Sequence, residues 1–221
     1  MKGKVIVLDG LDGSGKTTQF QLLKKEFDLR GILYRAVSFP NYSSPSSELV
    51  KMYLRGDFSK DVSGVNAYAA SSFYAVDRYA SYKLDWGNDY KNGILIAASR
   101  YVSSNAMHQM VKLPKNEWDC YLKWLDDFEH NKLGIPRADK VVFLDMPVEI
   151  SQKLLSGRYG GDESKKDIHE SNVEYLKKCR EAALYASKAL GWSVVECSAF
   201  GEVLKEEEIF LKIMKEISEV L

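Results

Sequence analysis

The octapeptide GLDGSGKT, Gly10 to Thr17, constrains this chain more than any other stretch. It fits G-x-x-x-x-G-K-[ST], and its flanks are those the motif needs. The apolar run Val5–Leu8 precedes it, and Phe20, Leu23 and Phe27 recur at helical spacing after it. Backbone curled through the glycines turns its N–H groups inward, and the helix behind adds a partial positive charge. Such a loop cradles phosphates. Gly10, Leu11, Asp12, Gly13, Ser14, Gly15, Lys16 and Thr17 are therefore the expected nucleotide-binding residues. Lys16 reaches the β- and γ-phosphates, and the Thr17 hydroxyl is the expected ligand for Mg²⁺. A nucleoside triphosphate with Mg²⁺ is the implied ligand.

Four more short runs have strand character: Tyr34–Phe39, Ile94–Ala98, Val141–Leu144 and Ser193–Cys197. Most are near-continuously apolar, as strands covered on both faces are. Helical patterns lie between them. One carries Val65, Ala69, Ser72, Val76 and Ala80, and another carries Ile209, Ile213 and Ile217. Further helices are expected at Glu117–His130, Val148–Leu155 and Val173–Leu190, and Ser44-Pro45 reads as a helix start. The alternation predicts a doubly wound α/β fold, a five-stranded parallel sheet flanked by helices. With 221 residues the chain suits a single domain, 1–221.

Bulk charge gives no lead to a nucleic-acid polymer or a membrane surface, because 31 basic and 31 acidic side chains cancel. No apolar run approaches a membrane span. Cys120, Cys179 and Cys197 are scattered without metal-like spacing and read as reduced thiols, which predicts a cytoplasmic protein.

The motif gives nucleotide binding but not a reaction. A guanine-specificity segment is lacking: Asn131-Lys132-Leu133-Gly134 has no aspartate, and it reads better as a helix end with Gly134 at the C-cap. A kinase of small molecules needs an arginine-lined second phosphate pocket, an aromatic platform and a lid. Tyr74 and Arg78, four apart, share one helix face, which suits a base platform beside a planar cation. Taken alone, a packed Tyr74 and a surface-paired Arg78 are the plainer reading. Arg100 follows the Ile94–Ala98 strand, at the carboxyl end where α/β sheets bind ligands, and suits a phosphate clamp. The polar segment 156–171, SGRYGGDESKKDIHES, reads by composition as a solvated loop; beside a phosphate loop it reads as a small basic lid.

In order along the chain, GLDGSGKTT, FPNYSSPSSELVKMYL, FYAVDRYA, SRYVSSNAMHQ and GRYGGDESKKDIHES with YLKKCREAALYAS resemble the thymidylate kinase family. That resemblance implies transfer of a phosphoryl group from ATP to dTMP, giving ADP and dTDP. It assigns Asp12 to the acceptor 3′-hydroxyl or to ordering the site. Phe39 and Pro40 would wall the acceptor pocket, Tyr74 would stack on thymine and Arg78 would meet a base carbonyl. Arg100 would hold the acceptor phosphate, Asn105 would face the thymine edge, and His108 and Gln109 would lie on the sugar side. Family members carry a catalytic cation in the phosphate loop or in the lid. Position 13 is glycine, so the resemblance points to Arg158, then to Lys165 and Lys166. It also implies a homodimer, for which 65–82 is a candidate face. Three residues depart from the family pattern: Ser99 for the usual aspartate, His108 for tyrosine and Tyr42 for arginine. They leave open a related nucleotide or deoxynucleoside kinase with another acceptor, and a catalytically weakened nucleotide-binding homologue.

Overall fold

Five strands, each rich in β-branched or small apolar residues, pair into one parallel sheet in a computed structural model that describes residues 2–158, 169 and 172–221. In chain order the elements begin with β1 (Val5–Gly10), α1 (Lys16–Leu29) and β2 (Tyr34–Ser38). There follow α2 (Glu48–Arg55), α3 (Ala67–Ser81), α4 (Gly87–Lys91), β3 (Leu95–Ser99) and α5 (Val102–His108). The chain continues with α6 (Trp118–Asp126), β4 (Lys140–Asp145), α7 (Val148–Arg158), α8 (Val173–Leu190) and β5 (Ser193–Glu196). A short hairpin, β6 (Ser198–Ala199) and β7 (Glu202–Val203), leads into α9 (Glu206–Ile217).

The sheet order is β2-β3-β1-β4-β5, so β1 lies at its centre and all of its residues are buried. Alternate side chains of one strand enter opposite cores. Val5 and Val7, with Val37, Ile96 and Ala98, pack against Ala106 of α5, Tyr121, Leu122 and Leu125 of α6, and Ala182 and Ala186 of α8. Ile6 and Leu8, with Leu95, Ala97, Val142 and Leu144, meet Phe20, Leu23 and Phe27 of α1 and Ile209, Ile213 and Ile217 of α9. Helices on both faces are what make the strands read as continuous apolar runs.

The stripe Val65–Ala69–Ser72–Val76–Ala80 is not the core face of α3. The buried residues are Ala67, Ala70, Ser71, Ala75, Asp77, Arg78 and Ser81, whereas Val76 is 47% exposed. Here burial follows the small and polar residues, because α3 packs closely and carries site groups inward. The expected Glu117–His130 helix is α6 continued by a π-helical turn, Asp127–Lys132, before Gly134 at φ 71°. That widened turn contains the buried Glu129. Ser44 does start a helix: its side chain accepts from the Ser46 N–H, with Pro45 at the first position of a short 3₁₀ turn before α2.

Candidate active site

Gly15, at φ 81°, ends the phosphate loop and caps α1 without any side-chain hydrogen bond. The N-cap residue therefore supplies no side-chain acceptor to the first-turn amides of this 14-residue helix, which suits an anion. Lys16 is buried and its Nζ donates to Gly10 O at 3.0 Å and Leu11 O at 3.3 Å, curling the loop around the ammonium. Gly13, at φ 76°, leaves no space for a side chain: a Cβ there would lie 2.5 Å from Ser151 O on α7. Among the described residues the buried Ser14 hydroxyl has no hydrogen-bond partner.

Arg100 comes to the same loop from β3. Leu8 pairs with Ser99, and Arg100 N–H donates to Leu8 O at 3.0 Å. Arg100 itself sits at φ 64°, in the left-handed region that non-glycine residues rarely occupy. That turn sends the guanidinium over β1. Its Nη1 donates to Gly10 O at 3.2 Å and lies 3.7 Å from Asp9 Oδ1, and its Nη2 donates to Asp12 Oδ1. Burial alone would raise the Asp12 carboxyl, but Arg100 and then Lys16 hold it well below the usual carboxylate range. Burial would lower the Arg100 guanidinium; Asp12 and Asp9 reverse that and raise it.

Behind Arg100 lies a buried polar cluster. Arg78, 1% exposed, donates through Nε and Nη2 to the two oxygens of Glu129, and through Nη1 to Tyr101 O at 3.3 Å. Asn105 Nδ2 donates to Glu129 Oε1 at 3.0 Å and to Ser71 O at 3.2 Å. Both amide hydrogens are thereby used, and Oδ1 keeps its acceptor capacity. Phe39 is buried, with its N–H on Ser99 O, and a cis peptide joins it to Pro40. Tyr74 is half-buried and meets Tyr53 edge-on at 6.3 Å.

One cavity of about 700 Å³ joins these parts. The loop residues Asp12–Thr17 line its one end; Phe39, Pro40, Tyr42, Tyr74, Arg78, Ser99, Arg100, Asn105, His108 and Gln109 line the other. Gly10 and Leu11, also expected to bind nucleotide, do not line the cavity; their carbonyls accept from Lys16 Nζ, which curls the loop. A phosphate cradle and an arginine-bearing pocket in one cleft are the layout of an enzyme that moves a phosphoryl group between two bound molecules.

The comparisons give that layout a family. The family model for thymidylate kinase matches residues 8–207. The chain belongs to the thymidylate kinase family. Thymidylate kinase of Mycobacterium tuberculosis (strain ATCC 25618 / H37Rv) is 29% identical over 191 residues, 85% of this chain and 87% of the relative. The probable thymidylate kinase of Thermococcus gammatolerans is 28% identical over 181 residues, 81% of this chain and 80% of the relative. Thymidylate kinase from Candida albicans has the same fold, with TM-score 0.69 at 19% identity over 99% of this chain and 92% of that one. As a thymidylate kinase family member the chain is an ATP-dependent nucleoside monophosphate kinase, converting dTMP and ATP to dTDP and ADP.

Of the three departures from the family pattern, His108 has the most distinctive surroundings. It is 6% exposed, with Nε2 3.5 Å from Arg100 Nη1, and its ring stacks on His169 at 5.5 Å. Burial, followed by Arg100, pushes its imidazole down to about 4, so it is neutral near pH 7. Tyr175 OH donates to the His108 carbonyl, and His169 Nε2 shares a 2.8 Å hydrogen bond with Tyr53 OH. Gln109 is buried, and its Oε1 has no hydrogen-bond partner among the described residues. The basic lid expected at 156–171 lies outside the described residues except for 156–158 and 169. Arg158 is the last residue of α7, its side chain outside the description, and Lys165 and Lys166 fall outside it entirely.

Asp9, Glu129, Tyr53 and His169 were missed as site residues by the sequence reading. For Asp9 a signal existed, an acid ending an apolar strand beside a phosphate loop. For Glu129 none did, since 51 residues separate it from Arg78.

Proposed function

We propose that the two ends of the cavity divide the reaction between donor and acceptor. Gly10–Thr17 hold the ATP phosphates, and Phe39, Pro40, Tyr74, Arg78, Arg100, Asn105, His108 and Gln109 hold dTMP. The observation that carries this reading is the crossing of Arg100 from β3 to the loop, which brings an acceptor-side guanidinium within reach of the donor cradle. Arg100 clamps the acceptor phosphate once it exchanges Asp12 for a phosphate oxygen. Asp12 then faces the cleft as an ionised carboxylate beside the acceptor. Arg78, fixed by Glu129, and the free acceptor atom of Asn105 suit the carbonyl and N–H of thymine, with Tyr74 as the ring against the base. Catalysis is positioning and charge neutralisation.

Mg²⁺ fits the donor set. Thr17 is an exposed residue that lines the cavity, and among the described residues no group of three or more His, Cys, Asp or Glu is placed to hold a metal. One hydroxyl beside a phosphate cradle suits an ion carried mainly by nucleotide phosphates and water. When bound, it neutralises charge on the β- and γ-phosphates.

The crowding at Gly13 supports a catalytic cation from outside the loop, with Arg158 the first choice and Lys165 and Lys166 next. We read 1–221 as one kinase domain and α3 as its homodimer face, because Tyr68, Val76 and Tyr79 are exposed along it. Light scattering after size exclusion tests this: a mass near twice 25.1 kDa is expected. Among the described residues no helix is long and apolar enough to cross a membrane, and the free thiols support a cytoplasmic location.

A panel of monophosphates and nucleosides assayed with ATP tests the acceptor assignment; dTMP is expected to have the highest kcat/KM. Lys16→Ala should lower kcat by about two to three orders of magnitude, as losing a charge that meets the transferring phosphoryl group does. Equal rates for wild type and Lys16→Ala would refute the donor-site reading.

A further inference from the structure

Asp9 is fully buried at the end of β1, and no role in the reaction described above uses it. Its carboxylate is met by donors. Gly10 N–H donates to Oδ1 at 2.8 Å, Ser103 Oγ to Oδ2 at 2.6 Å, and Ser104 Oγ reaches Oδ2 at 2.8 Å and Oδ1 at 3.1 Å. Arg100 Nη1 lies 3.7 Å from Oδ1. A carboxylate so surrounded is an acceptor on every side and cannot turn away.

Arg100 is thus held between two carboxylates of different standing. Asp12 is half-buried and lines the cavity, while Asp9 is 0% exposed and does not. An arriving phosphate competes for the guanidinium edge that Asp12 occupies. The other edge faces Asp9, a residue that does not line the cavity. Register explains why β1 supplies this second partner: Leu8 pairs with Ser99 at the end of the β1–β3 ladder, so the next residues, Asp9 (still paired with β4) and Arg100, follow side by side.

We propose that Asp9, aimed by Ser103 and Ser104, is the positioning residue for Arg100: it holds Nη1 while Nη2 passes from Asp12 to the acceptor phosphate. Position 99 then needs no acid, because the anchoring carboxylate comes from the neighbouring strand. The inference rests on Arg100 gripping the acceptor phosphate.

Steady-state kinetics with ATP and dTMP on four variants test it. Asp9→Asn should raise KM for dTMP about tenfold, the size expected for loosening a charge-assisted contact, with KM for ATP within about twofold of wild type. Arg100→Ala should raise KM for dTMP by at least as much. In the Arg100→Ala background Asp9→Asn should add less than about twofold, because its effect passes through the missing side chain. A purely structural Asp9 would instead shift both KM values, or shift dTMP use equally in both backgrounds, and either result overturns the proposal. So does a folded Asp9→Asn with unchanged KM for dTMP. Should Asp9→Asn fail to fold, Ser103→Ala serves: about a threefold rise in KM for dTMP alone is expected, and no rise overturns the proposal. If Arg100→Ala leaves KM for dTMP unchanged, the phosphate role of Arg100 fails as well. If only the Asp9 and Ser103 variants are silent, the assignment of Asp9 alone fails.

Discussion

The Arg78–Glu129 pair shows how much one residue can depend on another far along the chain. Both side chains are essentially out of water, at 1% and 0% exposure. Burial opposes the Arg78 charge, and Glu129 more than restores it. A charge in such a place is tolerable only with its partner, and removing one member costs about 3–5 kcal/mol. Glu129→Gln is therefore expected to lower stability by about that amount in urea unfolding, and to weaken dTMP use more than ATP use. Arg78 read alone suited a surface ion pair; it forms an ion pair, but in the core and within the site wall. Arg100 carries the complementary expectation. Arg100→Ala should raise KM for dTMP by about 10–100-fold and leave KM for ATP nearly unchanged, the range for losing a charged hydrogen bond. Equal losses for both substrates would contradict an acceptor-side role.

At the scale of elements, the phosphate loop is wedged between β1, α1 and α7. Gly13 is the point of contact, with both a left-handed φ of 76° and Ser151 O where a Cβ would sit. Gly13→Ala should lower stability by about 1–3 kcal/mol and raise KM for ATP, since relief requires α7 or the loop to shift. Circular dichroism melting with ATP titration measures both. Loop, strand and helix were legible because each is local: the motif, the apolar run and the three- and four-residue spacing lie within 30 residues. Arg100 after a strand pointed to the β3 end, and Ser99 and Arg100 there do line the cavity. The stripe on α3 misled, since periodicity marks a face without saying which surface covers it. Val76 turns out exposed while Asp77 and Arg78 are buried. Asp77 is buried because it accepts from the Asn41 N–H and the Ser46 hydroxyl, tying α3 to the segment after β2.

For the whole molecule, the buried histidines set how stability responds to acid. His108 has an ordinary value of 6.5 and about 4 in the folded protein. Above 6.5 it is neutral in both states and contributes no pH dependence. Between 6.5 and about 4 the unfolded chain takes up a proton that the folded chain refuses, so stability falls as pH drops. His169 and His130, also lowered chiefly by burial, act with the same sign. The melting temperature should therefore fall from pH 6.5 toward pH 4, and His108→Asn should flatten that slope. An unchanged slope would mean that His108 is solvated.

Sequence alone determined the chain's class: a phosphate loop between strand and helix, apolar runs that need covering on two faces, and five motifs in the order of the thymidylate kinase family. These features depend on neighbours a few residues away, so the chain's own periodicity and turn chemistry encode them. Only the tertiary structure decided which groups complete one another. It joined Arg78 to Glu129 across 51 positions, and Arg100 to Asp9 and Asp12 across the β1–β3 register. Burial and pairing are properties of the folded interior, where an ionised group's fate depends on the partner that packing delivers. Ser99, odd when read in its own strand, pairs with Leu8, and the next residue of that neighbouring strand, Asp9, brings a carboxylate to 3.7 Å from Arg100 Nη1.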